Sequence, residues 1–362
     1  MMTARTLGSE SPDLTVVRTQ VDGILDGFLT AKARAATARY LPGEIPRILH
    51  DFLSSGGKRL RPLLCVTGWR AAGGEGDPRP VLRVAASLEM FHAFALIHDD
   101  IMDRSTTRRG HPTVHRALAT LQREGRSEAA ADDLGVGSAI LVGDLALAWS
   151  DELLHTAGLT PGRLVRILPL IDAMRTEVMY GQYLDLASTG HPTDDVDRAL
   201  AIIHYKTAKY TCERPLQIGA TLAGADDELR TVLSDFALPL GEAFQLRDDL
   251  LGVYGDPDRT GKPTLDDLRD GKHTTLAALA LKLATPDQVA RLRRLLGDPD
   301  LTEEQAEDAR RVITATGARD MVEQMIRARC AQADHALSRS TIPPAVAATL
   351  RELARAATKR TT

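Results

Sequence analysis

Aromatic side chains are scarce in this chain (4%), cysteine occurs only three times in 362 residues, and neither sign of charge is in marked excess. Each shortage closes a class of function. With 45 basic against 49 acidic side chains the net charge is −4, so no nucleic-acid partner that works by phosphate neutralisation is expected. Cys65, Cys212 and Cys330 lie far apart and at no metal-ligand spacing, and read as buried thiols of a reducing compartment. No uninterrupted apolar run approaches the roughly 18 residues of a spanning helix, so no transmembrane segment is expected. Residues 1–15 are polar and acid-bearing, unlike a signal peptide, and are expected to be disordered. The expectation is a soluble, cytoplasmic protein.

Strand-like alternation is also nearly missing, whereas 43% of the residues are hydrophobic and recur at helical spacing. Val17, Val21, Ile24, Leu25 and Phe28 mark a first helix. A second ends at Ser54-Ser55-Gly56-Gly57, and Pro62 sits in the first turn of a third. From about Pro80 a long helix carries Val84, Leu88, Phe91 and Ala95. Residues 120–137, polar and alanine-rich, read as a surface excursion. Thr160-Pro161 caps a helix to about Leu186; others span 194–223 and 226–254. Residues 255–272, rich in Gly, Pro, Asp and Lys, read as a mobile loop. Four or five amphipathic helices follow. Fold class is therefore all-α, one domain over 1–362 of about a dozen helices around a deep cleft.

Two acidic stretches organise the chemistry. Leu96-Ile97-His98-Asp99-Asp100-Ile101-Met102-Asp103 closes an apolar run, with Asp99 and Asp103 one turn apart on one face, and Arg108 and Arg109 follow. Asp248-Asp249 closes a second apolar segment. Carboxylates about 6 Å apart at an effective dielectric near 20 repel by roughly 3 kcal/mol. Several of them converging over an apolar floor require cations, and magnesium bridging to a diphosphate meets that need with oxygen ligands. Arginine forks suit the phosphate oxygens. Gly56-Gly57-Lys58-Arg59-Leu60-Arg61 is a second basic cluster at a helix start, suited to a separate anion without metal.

Leu96-Ile97-x-Asp99-Asp100-x-x-Asp103-x4-Arg108-Arg109-Gly110 resembles the first aspartate-rich motif of the trans-isoprenyl diphosphate synthases, the polyprenyl synthetase family. Leu240-Gly241-x-x-Phe244-Gln245-Leu246-x-Asp248-Asp249-Leu250-x-Gly252 resembles their second. Gly57-Lys58-Arg59, Gly143-Asp144, Gly181-Gln182, Lys206-Thr207 and Thr260-Gly261-Lys262 are similar to further motifs, in the family's order. The resemblance implies head-to-tail prenyl transfer from an allylic diphosphate to isopentenyl diphosphate. It implies a metal set of Asp99, Asp100, Asp103, Asp248 and Asp249 holding three Mg2+. Arg108, Lys206 and Lys262 would contact the allylic diphosphate, and Lys58, Arg61, His92 and Arg109 the isopentenyl diphosphate. Thr207, Gln245 and the Lys206 carbonyl would stabilise the allylic cation.

A homodimer is implied as well. Phe94, five residues before the first aspartate, resembles the short-chain pattern that forms C20 geranylgeranyl diphosphate, with C15 farnesyl diphosphate as the alternative. Phe91, Phe94 and Ala95 are the candidate chain-length residues. Gly252 departs from the pattern, standing where many relatives have a third aspartate; Asp256 or Asp266 could compensate. A terpene cyclase is disfavoured by Gly57-Lys58-Arg59 and the second aspartate pair, and a non-catalytic partner subunit by the presence of both acidic motifs.

Overall fold

The computed structural model of the chain describes residues 13–255 and 265–358. Among them 15 helices and one small ribbon form the fold, and the class is all-α. Helix α1 (Leu14–Ala38) buries Val17, Val21, Leu25 and Leu29, a spacing of four that keeps one stripe inward. Asp13 caps it by accepting the N–H of Thr15 and Val16, so Leu14 and Thr15, expected to be disordered, are already helical. After α2 (Glu44–Ser54) the chain turns through Gly56 and Gly57 into α3 (Leu60–Ala71). Helix α4 (Arg79–Met102) is, among the described residues, the one helix long and apolar enough by length and composition to cross a bilayer. With 67% of that stretch buried inside the protein, its apolarity serves the core.

Beyond α4 the chain doubles back through β1 (Thr107–Arg108) and β2 (His111–Pro112), an antiparallel pair too short to show in the sequence as alternation. Arg109 (φ 54°) and Gly110 (φ 77°) form its turn, both left-handed as a tight hairpin requires. Helices α5 (Val114–Leu121) and α6 (Glu128–His155) follow. The expected surface excursion over 120–137 is largely exposed up to Ala130, but from Glu128 it is helical, the first turns of α6. Ser127 accepts the Ala130 N–H as cap, the alanines favour helix, and Ala131 and Gly135 are buried small residues packed toward α5.

Helix α7 (Pro161–Leu186) starts at the foreseen cap, Thr160 accepting from Arg163 N. Helix α8 (196–222) is continuous but changes type. Val196–Ile202 is α-helical, Ile203–Glu213 is π-helical, and Arg214–Leu222 is α-helical again. Pro215, which lacks an N–H and cannot continue an unbroken ladder, stands where the helix type changes. Helix α9 (Asp227–Tyr254) is capped by Asp226. Of the expected mobile loop over 255–272, residues 256–264 lie outside the described ones, and the described part is corrected. Asp266–Arg269 is a helical turn, α10, with Leu268 buried and Gly297 N–H donating to the Leu268 carbonyl at 2.8 Å. Thr260-Gly261-Lys262 and Asp256 lie outside the described residues. Five helices complete the chain: α11 (Thr275–Leu283), α12 (Pro286–Leu295), α13 (Glu303–Ala315), α14 (Ala318–Ser338) and α15 (Pro344–Thr358).

Two apolar clusters hold these elements. The larger joins α1–α4 to α6, α7 and the later part of α8, with α15 against it. The smaller is built from the second half of α9, α10 to α13 and the first half of α14. Helix α9 belongs to both, with Leu240 in one and Ala243 in the other. The ends of α4, α7 and α9 and the π-helical part of α8 surround one cavity.

Candidate active site

The cavity measures about 730 Å³, and its wall brings together residues far apart in sequence. Asp99, Asp100 and Asp103 come from the end of α4, Gln182 and Asp185 from α7, and Lys206, Thr207, Tyr210 and Thr211 from the π-helical segment. Gln245, Asp248 and Asp249 come from α9. Residues 206, 207, 210 and 211 of this π-helical segment all line the cavity. Helices α7 and α8 touch where Gly181 stands: a Cβ there would lie 2.4 Å from the Lys206 backbone nitrogen. The Gly181-Gln182 motif is therefore a contact that lets Gln182 and Lys206 reach the same carboxylate.

That carboxylate is Asp99. It accepts from Gln182 Nε2 at 3.0 Å, Lys206 Nζ at 3.2 Å and Arg108 Nη2 at 3.2 Å. Burial alone would push its pKa up, but Lys206, Arg108 and Lys272 overcome it and hold Asp99 well below the usual carboxylate range. Lys206 also binds Asp185 at 2.6 Å, and Lys272 spans Asp103 (2.5 Å) and Asp185 (3.8 Å). The result is a run of alternating charge, Asp99–Lys206–Asp185–Lys272–Asp103. Burial disfavours the charged form of Lys272, yet Asp185 and Asp103 raise its pKa, so it stays protonated.

Asp100 takes another part. It is 1% exposed and bound by Arg108, whose Nε donates to both its oxygens at 2.9 Å. The β1–β2 hairpin folds Arg108 back onto it. Asp249 is likewise buried, accepts from Gln245 Nε2 at 2.9 Å, and is pushed up to about 8 by burial and by the charges of Asp267, Asp248 and Asp185. Gln245 Oε1 in turn accepts from the Thr207 hydroxyl at 2.8 Å.

The second basic cluster opens on the same cavity. Arg61 donates to Thr211 Oγ1 at 2.5 Å and stacks on Tyr210, 4.1 Å from the ring centre. His92 Nδ1 is 3.1 Å from the Tyr210 hydroxyl; burial and then Arg61, Arg109, Arg108 and Arg59 drive its pKa well below the ordinary value, so the ring is neutral. Arg109 donates to the Gly56 carbonyl, and Lys58 Nζ to the Ala356 carbonyl at 2.8 Å near the end of α15. Arg59, in the left-handed region, turns inward to Glu89, Asp22 and the Leu53 carbonyl, and so anchors the loop.

The apolar part of the wall includes Phe94, Ala95, Val178, Met179 and Ile202. Phe91 does not reach it: it is 1% exposed and stands behind Phe94, ring centres 5.2 Å apart. His98 packs edge-on to Phe94 at 4.7 Å, with Asp144 Oδ1 3.5 Å from its Nε2. A Cβ on Gly143 would lie 2.4 Å from that imidazole, which accounts for Gly143-Asp144.

Every candidate catalytic, binding, metal or chain-length residue named from the sequence lines this cavity except Phe91 and Lys262; Lys262, like the candidate compensating Asp256, lies outside the described residues. Asp185, Lys272, Tyr210 and Thr211 carried no role in the sequence reading. Asp185 could have been found as the residue one turn after Gln182. Lys272 had no signal beyond its place before a helix. Among the described residues no three carboxylate, imidazole or thiol groups form a ready-made metal cage. The donors that are present, paired acids on α4 facing acids on α9, are hard oxygens suited to a cation completing its shell with phosphate and water.

The sequence pattern that defines the polyprenyl synthetase family matches residues 43–313, and the chain belongs to that family. A geranylfarnesyl diphosphate synthase of Aeropyrum pernix is 36% identical over 83% of this chain and 88% of its own. A geranylgeranyl diphosphate synthase of Sulfolobus acidocaldarius is 32% identical over 74% and 76%. The crystal structure of a geranylgeranyl pyrophosphate synthase from Corynebacterium glutamicum, complexed with isoprenyl diphosphate and magnesium, superposes with a TM-score of 0.92. It is 40% identical and covers 97% of this chain and 100% of that one. The chain is thus a prenyltransferase of a synthase family that uses a divalent metal.

Proposed function

We propose that the chain condenses isopentenyl diphosphate with dimethylallyl, geranyl or farnesyl diphosphate, with C20 geranylgeranyl diphosphate as its main product. The observation that carries this reading is that both acidic motifs, the Arg61–His92–Arg109 cluster and an apolar wall share one cavity. Two differently built anion sites suit two diphosphates, and the apolar wall suits the growing chain.

Three magnesium ions, when bound by Asp99, Asp103 and Asp248, would neutralise the allylic diphosphate and make it a leaving group. In this reading Asp100 and Asp249 position rather than bind: Asp100 fixes Arg108, and Asp249 fixes Gln245. Arg108, Lys206 and Lys262 hold the allylic diphosphate, joined by Lys272. Lys58, Arg61, His92 and Arg109 hold isopentenyl diphosphate. The allylic C–O bond breaks, and the double bond of isopentenyl diphosphate attacks the cation. A proton then leaves the new carbon skeleton for the departed diphosphate. The Thr207 hydroxyl, the Gln245 amide and the Lys206 carbonyl turn fixed dipoles toward the developing charge. Phe94 closes the apolar end. A cytoplasmic homodimer is the assembly we infer; the exposed Ile140 and Leu141 on α6 and Tyr180 on α7, and the free Cys65 and Cys212, support it.

The test is incubation of the purified protein alone with magnesium, isopentenyl diphosphate and each allylic diphosphate, sizing the products by chromatography. C20 from all three starters is expected. C15 as the end product would overturn the length assignment, and cyclic hydrocarbon without isopentenyl diphosphate the reaction itself.

A further inference from the structure

Glu177 of α7 is no part of the cavity wall, yet two cations from α8 converge on its half-buried carboxylate. Its Oε1 accepts from Lys209 Nζ at 3.0 Å and from Arg214 Nη2 at 2.6 Å, and its Oε2 from Arg214 Nε at 2.8 Å. Arg214 reaches onward to Gln217 Oε1 at 2.8 Å, and Gln217 Nε2 to Ser234 Oγ of α9 at 2.7 Å. Glu213 is buried, with Oε2 3.5 Å from Lys209 Nζ, so two acids balance two bases. Lys209 and Arg214 are five residues apart. On an α-helix of 3.6 residues per turn their side chains would diverge by about 140°. Here the Arg214 N–H donates to the Lys209 carbonyl, the i→i+5 bond of a π-helix, which stacks the two residues on one side. One carboxylate can then take both. A buried ion network adds little stability over an apolar replacement, and its best-attested use is to choose between registers. The same π-helical segment carries Lys206, bound to Asp99 and Asp185, and Thr207, bound to Gln245.

We propose that Glu177 is a positioning residue: by taking Lys209 and Arg214 on one carboxylate it selects the π-helical course of α8 over the α-helical one, and so aims Lys206 and Thr207 into the cavity. The proposal rests on the reading that these two groups serve the allylic diphosphate and the developing cation. An uncharged residue at 177 leaves the segment free to take the α-helical course, which turns both groups off their partners.

The experiment uses the full-length protein and three readouts: kcat at saturating isopentenyl and farnesyl diphosphate with magnesium, the melting temperature, and hydrogen exchange of peptides spanning 203–214. Glu177→Gln keeps the shape and leaves one base uncompensated. It should lower the melting temperature, speed exchange over 203–214 and cut kcat about a hundredfold, the scale on which a misplacement of about 1 Å acts. Glu177→Gln combined with Lys209→Gln restores the charge balance, with Glu213 left facing Arg214, but not the grip on the register. Its melting temperature should return most of the way while exchange stays fast and kcat stays low, a separation that a purely structural role would not produce. Recovery of kcat together with the melting temperature, or parental kcat in Glu177→Gln, overturns the proposal. Exchange unchanged in both variants overturns it too. If the parent protein forms no prenyl product, the reading of the site fails, and exchange over 203–214 still decides whether Glu177 sets the register.

Discussion

Arg59 sits in a left-handed backbone conformation to reach three partners at once, and the geometry leaves little choice of residue. Its Nε meets Asp22 at 2.7 Å, one Nη meets Glu89 at 2.9 Å, and the other meets the Leu53 carbonyl. Glu89 is 3% exposed, and its second oxygen has no hydrogen-bond partner. Removing the guanidinium would strand a buried carboxylate, so Arg59→Ala should cost about 3–5 kcal/mol in urea unfolding. Arg59→Lys should recover little of it, because one ammonium cannot replace a three-way fork; near-parental stability for the lysine variant would contradict this.

His92 makes a different prediction. Its folded pKa is lowered by burial and four arginines while its unfolded value is the ordinary one near 6.5. Below that value the unfolded chain binds a proton that the folded ring refuses. This contribution to stability is therefore full above pH 6.5 and is lost as pH falls toward the lowered folded value. The dependence of stability on pH between about 6.5 and 5 should flatten in His92→Gln, measured by denaturant midpoint across pH. An unchanged slope would mean that other groups carry it.

At the scale of elements, α4 presents two aromatic residues three apart that do different work. Phe94 lines the cavity, whereas Phe91 is packed behind it against Phe94 and Tyr210. Phe94→Ala should lengthen the product with a modest loss of stability. Phe91→Ala should cost about 3–5 kcal/mol, as large aromatic deletions in a core do, and leave product length nearly as it was. Lengthening by Phe91→Ala and not by Phe94→Ala would invert the assignment. Here the sequence was legible only in part. Thr160-Pro161 announced its helix because caps are local chemistry, and Asp99 and Asp103 shared a face because helix periodicity is local too. Asp99 and Asp100 were not told apart, since neighbours diverge by about 100° around a helix and only the hairpin that brings Arg108 back decides which one is sequestered. The π-helical segment was missed for a related reason. Pro215 flags a break in the ladder, but how the chain absorbs it depends on the packing of α7 and α9 against α8.

For the whole molecule, the two apolar clusters meet along α9, and the charged wall of the cavity bridges parts of the chain that belong to different clusters. Lys206 and Lys272 connect Asp99 and Asp103 to Asp185, so the acids of α4 are already neutralised by protein cations. Magnesium alone would have to compete with those ammonium groups for the same oxygens. A diphosphate alone would meet the lysines together with the carboxylates that repel it. Added together, the diphosphate draws the lysines to itself and the metal takes the carboxylates, so each removes the obstacle to the other. Stabilisation by a ligand follows RT ln(1 + [L]/Kd), about 2.7 kcal/mol at a hundredfold excess over Kd. Thermal unfolding with magnesium, with pyrophosphate, with both, and with both plus excess chelator should therefore show a shift for the pair well beyond the sum of the single additions, abolished by the chelator. If magnesium alone gives the full shift, the lysines do not compete for the carboxylates. In Lys272→Met the requirement for diphosphate should relax, with magnesium alone now stabilising the fold, because Asp103 would have lost the cation that occupies it.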